Sequence, residues 1–554
     1  MLPIFVSALS DPSYILDNDT LEPITKWFGI YTSYHLLVYG GVGLISIFTI
    51  KGIYIVFLDY VKSKFVYNRY SLMSSNLFMA YLSAPFTFHL SNNSAELIRN
   101  VTTETRFISN HIMMTFLSIC MEVITVFGIF FVLVFVEPII TLYSVLFIGL
   151  SAGILLKVIK KKLSYYGNSA AKERAQIIKE VNEGIGGFKD IKLNGRSNYF
   201  MQRFKRSIND LTKAEIFKHI ASSIAKPVVE LVAVISMFGI AIFMLWQGRE
   251  MTSIIPVLTL FAASAVRLIP SGNKIITDIN KLRFNIFAVE PVYNHLKLLD
   301  KGDGEMKKNS LKITLNDSIQ LNNVSFKYPN TSEYSIRDIN IKIKKGSSVA
   351  LVGESGAGKS TLINIILGLL QPTEGSVKVD DNEIGENIEG WQRNIGYIPQ
   401  NIYLSDTTIK QNIAFGIEED DISEEKVENA IEASQLKPLI RQLPKGFNTI
   451  IGENGVRLSG GQRQRIGIAR ALYNEPVVLV MDEATSALDT KTEKEIIKSV
   501  EKLKGERTLI MVAHRISTVR KCDTLYVLDG GKLINKGNYE ELNLKSNKFK
   551  EINQ

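Results

Sequence analysis

Apolar positions follow two different patterns along this chain. Over the first 270 residues they gather into long unbroken runs. After residue 318 they form short runs separated by charged and glycine-bearing turns. Five runs reach the ~20 residues that a helix needs to cross a bilayer: Tyr34–Leu58, His111–Val136, Ile139–Ile159, Pro227–Trp246 and Ser253–Ile269. The segments Tyr60–Asn110 and Lys160–Ala225 set charges between apolar residues at helical spacing, as in AKERAQIIKEVNEGIGGFKDIKLNGR from Ala171. They read as helical rods that continue the spans past the membrane, because a 66-residue loop without structure is unusual inside a domain. Candidate rod tips are Pro85–Phe88, with two aromatics at a turn, and Asn194–Tyr199.

Charge orients these elements. Met1–Asp300 holds 29 Lys+Arg against 20 Asp+Glu, and Lys301–Gln554 holds 35 of each, so the net charge of +9 sits in the apolar half. That excess reads as membrane topology rather than a nucleic-acid surface. Lys62, Lys64, Arg69, Arg99 and Arg106 occupy one long segment; Lys160, Lys161, Lys162, Arg203, Lys205 and Arg206 occupy the other. Both belong on the cytoplasmic side, and the short connections Glu137-Pro138 and Gln247–Thr252 belong outside.

Five spans and a cytoplasmic C-terminal half leave the N-terminus outside. Met1–Leu9 is apolar, but as a helix it covers ~14 Å of a ~30 Å hydrocarbon core. It is either the outer end of a first helix whose start is missing, which makes six spans, or a short re-entrant or interfacial piece. It has no basic region of a signal peptide. Leu21–Tyr31 is then external, as a short interfacial helix capped by Asp19-Thr20 or as a solvated loop. Cys120 and Cys522 form no disulfide framework, and no His/Cys cluster points to a metal. The change of pattern divides the chain into a transmembrane domain over 1–300, a polar linker over 301–318 and an α/β domain over 319–554.

The second domain carries the chemistry. SSVALVGESGAGKSTLINIILGLL reads as buried strand, glycine loop and apolar helix, the setting of a phosphate-binding loop. In Gly353, Glu354, Ser355, Gly356, Ala357, Gly358, Lys359, Ser360 and Thr361, the glycines let backbone N–H groups curl round phosphate. Lys359 is placed to neutralise the β- and γ-phosphates, and Ser360 to offer a hydroxyl to Mg²⁺. Downstream, the apolar run Val477–Met481 ends in Asp482-Glu483. Asp482 can hold Mg²⁺ through water, and Glu483 can polarise the attacking water.

Leu458-Ser459-Gly460-Gly461-Gln462 before RQRIGIARAL resembles the signature of ATP-binding cassette (ABC) proteins. Further landmarks follow that resemblance in order. Tyr328 matches the aromatic that stacks on adenine, and Gln400 the glutamine that senses Mg²⁺. Ser486–Asp489 matches the loop between two ATP sites, and His514 the switch histidine near the γ-phosphate. The resemblance implies an α-helical polytopic membrane domain followed by an α/β P-loop NTPase domain, with ATP and Mg²⁺ bound. It also implies a homodimer in which Ser459, Gly460 and Gly461 close over ATP held by the other subunit. A membrane domain ahead of one cassette looks like an exporter half-transporter of the bacterial inner membrane.

Charges inside spans are costly and usually face a cavity. Lys51, Lys226 (one turn from Glu230), Arg267 and Lys274 are such charges. YGGVGLISIFTIK, KPVVE and AVRLIPSGNKIITDIN look like lipid-linked oligosaccharide flippases of the PglK type, which implies a polyprenyl-pyrophosphate-linked sugar gripped by those four cations. Three of the four are Lys where that family implies Arg, and Lys does not give a bidentate grip. A multidrug or lipid A-type exporter and a peptide exporter are the alternatives.

Overall fold

A computed structural model describes residues 32–299, 312–329, 331–482, 503–512 and 519–553. The chain divides into two compact units, one of 1–84 and 92–304, the other of 85–91 and 305–554.

Among the described residues of the first unit, five helices are long and apolar enough to cross a membrane. α1 covers Ser33–Ser83. After α2 (Phe86–Ser91), α3 runs over Ser94–Val136 with π-helical turns at Asn100–Glu104 and Ser109–Met113. α4 is Pro138–Gly186, α5 Phe188–Leu193, α6 Ser197–Ser223, α7 Ala225–Trp246, α8 Met251–Asn285 and α9 Val289–Leu299. The five expected spans are present, and the charged segments between them are helical extensions. At 1.5 Å per residue, α4 alone is roughly 70 Å long, more than twice the hydrocarbon core.

The extensions hold together through polar pairs that their spacing sets. Arg174 of α4 reaches Glu215 of α6 at 3.2 Å, and Arg203 of α6 reaches Glu183 of α4 at 3.1 Å. Small residues allow close helix approach. A Cβ on Gly167 of α4 would lie 2.5 Å from the carbonyl oxygen of Phe284 in α8. At the other end, Arg249 grips Glu137 at 2.7 Å and joins the two short connections. Met1–Leu9 and Leu21–Tyr31 lie outside the described residues.

In the second unit, β1 (Ser318–Phe326), β2 (Ile336–Lys344), β4 (Glu374–Val379) and β5 (Asn382–Glu383) form an antiparallel sheet in the order β2-β1-β4-β5. A six-stranded sheet has the order β10-β9-β3-β8-β7-β6. Its strands are β3 (Ser348–Val352), β6 (Ile395–Ile398), β7 (Val478–Asp482), β8 (Thr508–Val512), β9 (Thr524–Asp529) and β10 (Lys532–Gly537). β9, β3, β8, β7 and β6 run parallel, and β10 closes the edge antiparallel. Helix α10 (Lys359–Ile366) packs with both sheets in one core that includes Leu362, Ile363, Ile341, Val480 and Trp391.

Two segments at the margins of this unit are packed rather than free. Ile313 and Leu315 fall within the stretch that composition assigns to the linker, yet both are buried in that core. Ile313 is bonded by Gly390 and Asn394. Their apolar side chains alternate with polar neighbours, as a strand-like edge requires. Phe86 of α2 packs against the same core, which is why 85–91 belongs to this unit.

Candidate functional site

The phosphate loop begins where β3 ends. All five residues of β3 are buried, so the strand is a fixed base. Across the sheet, Leu351 pairs with Val512 and Val512 with Asp482, so the loop and the Asp482 carboxylate emerge from one row at the carboxyl edge. That edge is where ligands bind in open α/β sheets. Asp523 fastens the start of β3 by accepting from the Ser348 amide at 2.9 Å and hydroxyl at 3.0 Å, and it pairs with Lys504 at 2.8 Å.

Burial by itself pushes the Asp523 carboxyl up, but the Lys504 and Ser348 hydrogen bonds outweigh it and hold the group below the usual range. A depressed pKa stabilises the fold above the unfolded value, and that gain is lost as pH falls through the folded one, below about pH 4. Asp523→Asn is therefore expected to cost about 1 kcal/mol at pH 7 and less near pH 3. The thermal midpoint of the fluorescence change from the buried Trp391 reads this; an equal cost at both pH values would remove the ionic part of the argument.

Two glycines shape the loop for steric reasons. A Cβ on Gly353 would lie 2.4 Å from the Leu528 carbonyl oxygen. Gly358 caps α10 at φ 95°, and its Cβ would meet Ile336 at 2.6 Å. Lys359 is buried, and its ammonium donates to the Gly353 and Glu354 carbonyls at 2.7 and 2.9 Å, which centres the charge over the loop. Ser355, Gly356 and Ser360 are exposed, whereas Ala357 and Thr361 pack inward. Thr361 bonds Ser335 at 2.9 Å and the Tyr328 hydroxyl at 3.1 Å, holding the half-buried Tyr328 ring beside the first turn of α10. Glu354 points out to Lys548 at 2.6 Å, on the last helix, Asn547–Asn553.

Asp482 is half-buried and accepts from the Tyr397 hydroxyl at 3.4 Å. Burial, then the Asp482 charge, pushes Tyr397 up to about 12, so it stays a neutral donor. Gln400, just after β6, is exposed. Ser360, Asp482 and Gln400 each offer a side-chain oxygen, the donor type that suits Mg²⁺.

α11 (Gly460–Leu472) carries the signature at its start. Ser459 accepts from the Gln462 amide and the Gln462 side chain accepts from the Ser459 amide, a capping box that leaves Ser459 and Gly460 exposed. Ile466 and Ala469 of α11 pack into a separate core with Leu404, Ile409 and Val427. Signature and phosphate loop thus stand on different cores of one chain. Glu483, Ser486–Asp489 and His514 lie outside the described residues.

The ABC transporter profile matches residues 336–486, and the ABC transporter transmembrane region matches 4–263. A relative from Cupriavidus pinatubonensis, an ATP-dependent lipid A-core flippase, is 31% identical over 85% of this chain and 79% of its own.

The chain belongs to the ABC transporter family.

Two further relatives of the same name, from Ralstonia nicotianae and Yersinia pestis, are 29% and 26% identical over 88% and 96% of this chain and 81% and 88% of theirs. A bacterial Atm1-family ABC exporter with ATP bound has the same fold, with a TM-score of 0.79 at 22% identity over 100% of this chain and 95% of that one. This ABC transporter is therefore a multi-pass membrane protein with a cytoplasmic, ATP-hydrolysing domain that binds ATP and Mg²⁺.

The likeness to PglK-type oligosaccharide flippases does not hold, because the relatives that match most of the chain are named for lipid A-core. The quoted segments are mostly apolar letters that many spans share, so they discriminate poorly. The structure also changes the picture of four cations facing one cavity. Arg267 and Lys274 converge on Glu122 of α3, at 3.7 and 3.0 Å, and Ser271 donates to the same carboxylate at 2.7 Å. Glu122 is not among the charges singled out from sequence, although a lone acid within His111–Val136 is a visible signal. Lys51 is exposed on α1, with its ammonium 5.4 Å from the Phe48 ring. Lys226 and Glu230 are exposed, and among the described residues no ion pair links them. The structure brings Arg267 and Lys274 together and does not bring Lys51 or Lys226 to them.

Proposed function

We propose that this ABC transporter flips or exports a phosphorylated glycolipid of the lipid A-core kind across the bacterial inner membrane, as a homodimer driven by ATP. The observation that carries the reading is the shared name of the relatives that align with most of the chain. Two basic side chains set within the spans add to it, because a phosphate headgroup moving through the membrane needs a counter-charge. Cationic drugs fit such a site poorly.

In the ATP site, Lys359 and the loop amides hold the phosphates, and Tyr328 receives the adenine. Ser360, Gln400 and Asp482 would hold Mg²⁺, which supplies charge neutralisation between β- and γ-phosphates. By the motif match, Glu483 would orient the water, His514 would serve the γ-phosphate and Asp489 would belong to the loop between the two sites. The homodimer is argued from one signature, with Ser459 and Gly460 exposed, and one phosphate loop per chain: each loop needs a signature from a second copy. Closure of the two cassettes turns the spans outward, and hydrolysis resets them.

The test is reconstitution of the full chain in proteoliposomes. ATP-dependent movement of lipid A-core, lost in Glu483→Gln together with at least ~100-fold of the hydrolysis rate, is the expected result. Hydrolysis without lipid movement, accompanied by transport of a drug or a peptide, would sink the cargo.

A further inference from the structure

The Glu122 cluster goes beyond a cation pair that waits for an anion. Its carboxylate is nearly buried, with 10% of the side chain exposed, whereas Arg267 and Lys274 keep 55% and 53% exposed. The acid is also fixed from a neutral side, by the Ser271 hydroxyl at 2.7 Å. Lys274 makes a full hydrogen bond to it at 3.0 Å, and Arg267 stands at 3.7 Å, beyond hydrogen-bond range. Arg267 therefore has its planar fork of donors available for a second oxyanion while it still feels the first.

The surroundings give that second anion a shape. A cavity of about 320 Å³ opens between α3, α4, α7 and α8; helix neighbours of the cluster line it, the four cluster residues do not. Its walls include Val126, one turn beyond Glu122, and Leu268 and Gly272, which flank Ser271 in α8. Ile148, Val232 and Phe261 continue the apolar lining. A charged group and an apolar cleft on the same two helices match an amphipathic molecule.

We infer that Glu122 is a specificity-determining residue: an internal counter-ion that a lipid phosphate must outcompete for Arg267 and Lys274, so that multiply charged headgroups are accepted and singly charged phospholipids are refused. The inference rests on the proposed transport of a phosphorylated lipid. Two cations and one carboxylate leave a net charge of +1 at the site. A phosphate monoester carries about −1.5 to −2 near neutral pH and draws both cations from the carboxylate. A phosphodiester carries only −1 and merely matches what Glu122 already offers. Because the bilayer is full of phosphodiester lipids, a site of two bare cations would be occupied continuously. The buried acid prevents that by repelling weak competitors, which is selection by an unfavourable element.

The experiment uses the full chain in phosphatidylcholine proteoliposomes. ATP hydrolysis is titrated with bis-phosphorylated lipid A and, separately, with phosphatidylglycerol, and the ratio of their half-maximal concentrations is the readout. This ratio is insensitive to how much protein is active. The native chain should favour lipid A strongly. Glu122→Gln keeps the shape and the Ser271 bond, and it is expected to shrink the ratio by about tenfold through tighter phosphatidylglycerol binding. Glu122→Gln combined with Lys274→Gln returns the site to +1 and should restore most of the discrimination, which a purely structural role for Glu122 does not predict.

If Glu122→Gln fails to assemble, Glu122→Asp carries the test. Its shorter carboxylate withdraws from Arg267 and should move the ratio the same way by about twofold. A ratio unchanged in the variants, with the native chain still responding to lipid A, would overturn the role of Glu122 alone. No response of the native chain to lipid A would instead overturn the cargo reading on which it stands.

Discussion

Lys359→Ala is expected to lower ATP hydrolysis by at least ~100-fold, since fixed positive charge at a transferring phosphoryl group supplies much of the rate enhancement in such reactions. The structure supplies the reason that no neighbour substitutes for it. Lys359 is buried at the first position of α10, and the Gly353 and Glu354 carbonyls hold its ammonium over the loop before any nucleotide arrives. Lys359→Arg should fail almost as badly, because a planar fork cannot occupy the place of a compact ammonium between two carbonyls. The fold itself should persist, as the two carbonyls released lie beside exposed Ser355 and Gly356 and can turn to water. The check is the hydrolysis rate in proteoliposomes beside the thermal midpoint of the same sample. Hydrolysis within tenfold of the native rate would remove Lys359 from the chemistry, and a collapsed midpoint would make its role one of folding.

Gly358→Ala should place a severely damaging methyl in the phosphate loop. Its backbone stands at φ 95°, where an L-residue pays roughly 1–2 kcal/mol, and the new Cβ would meet Ile336 at 2.6 Å and the Ser335 oxygen at 2.9 Å. Ser335 and Ile336 are no passive neighbours, since Ser335 bonds Thr361 and Ile336 opens β2. Relief of the clash therefore moves the first turn of α10 and the loop ahead of it. We expect a loss of ~3 kcal/mol or more in cassette stability and ATP binding too weak to measure. Gly416→Ala is the control: it has φ +83° but nothing within 4 Å of the new Cβ, so only the backbone strain remains. Measured by the thermal midpoint of the Trp391 fluorescence change, Gly358→Ala should melt several degrees below Gly416→Ala. Equal shifts would mean that the close contact with Ile336 contributes nothing.

The parts legible in the amino-acid sequence are those whose physics is local. A run of ~20 apolar residues has no other stable place than a bilayer, so the five spans read directly, and helical spacing carried the charged extensions with them. Strand, glycine loop and helix are contiguous, so GESGAGKST announces its phosphate site without help from the rest of the chain. The signature is local too: Ser459 and Gln462 cap their own helix three residues apart.

What needed the tertiary structure is what depends on distant pairs. Glu122 meets Ser271 and Lys274 across separations of 149 and 152 residues, and no periodicity in either helix encodes that meeting. It follows from the rotation of α3 against α8, which side-chain packing along both helices decides. Charge can be counted in the sequence, while its pairing across the fold cannot. Cargo misled for the same reason. A handful of basic letters in apolar runs resembles many transporters, whereas the balance of charge at one buried carboxylate belongs to the folded membrane domain alone.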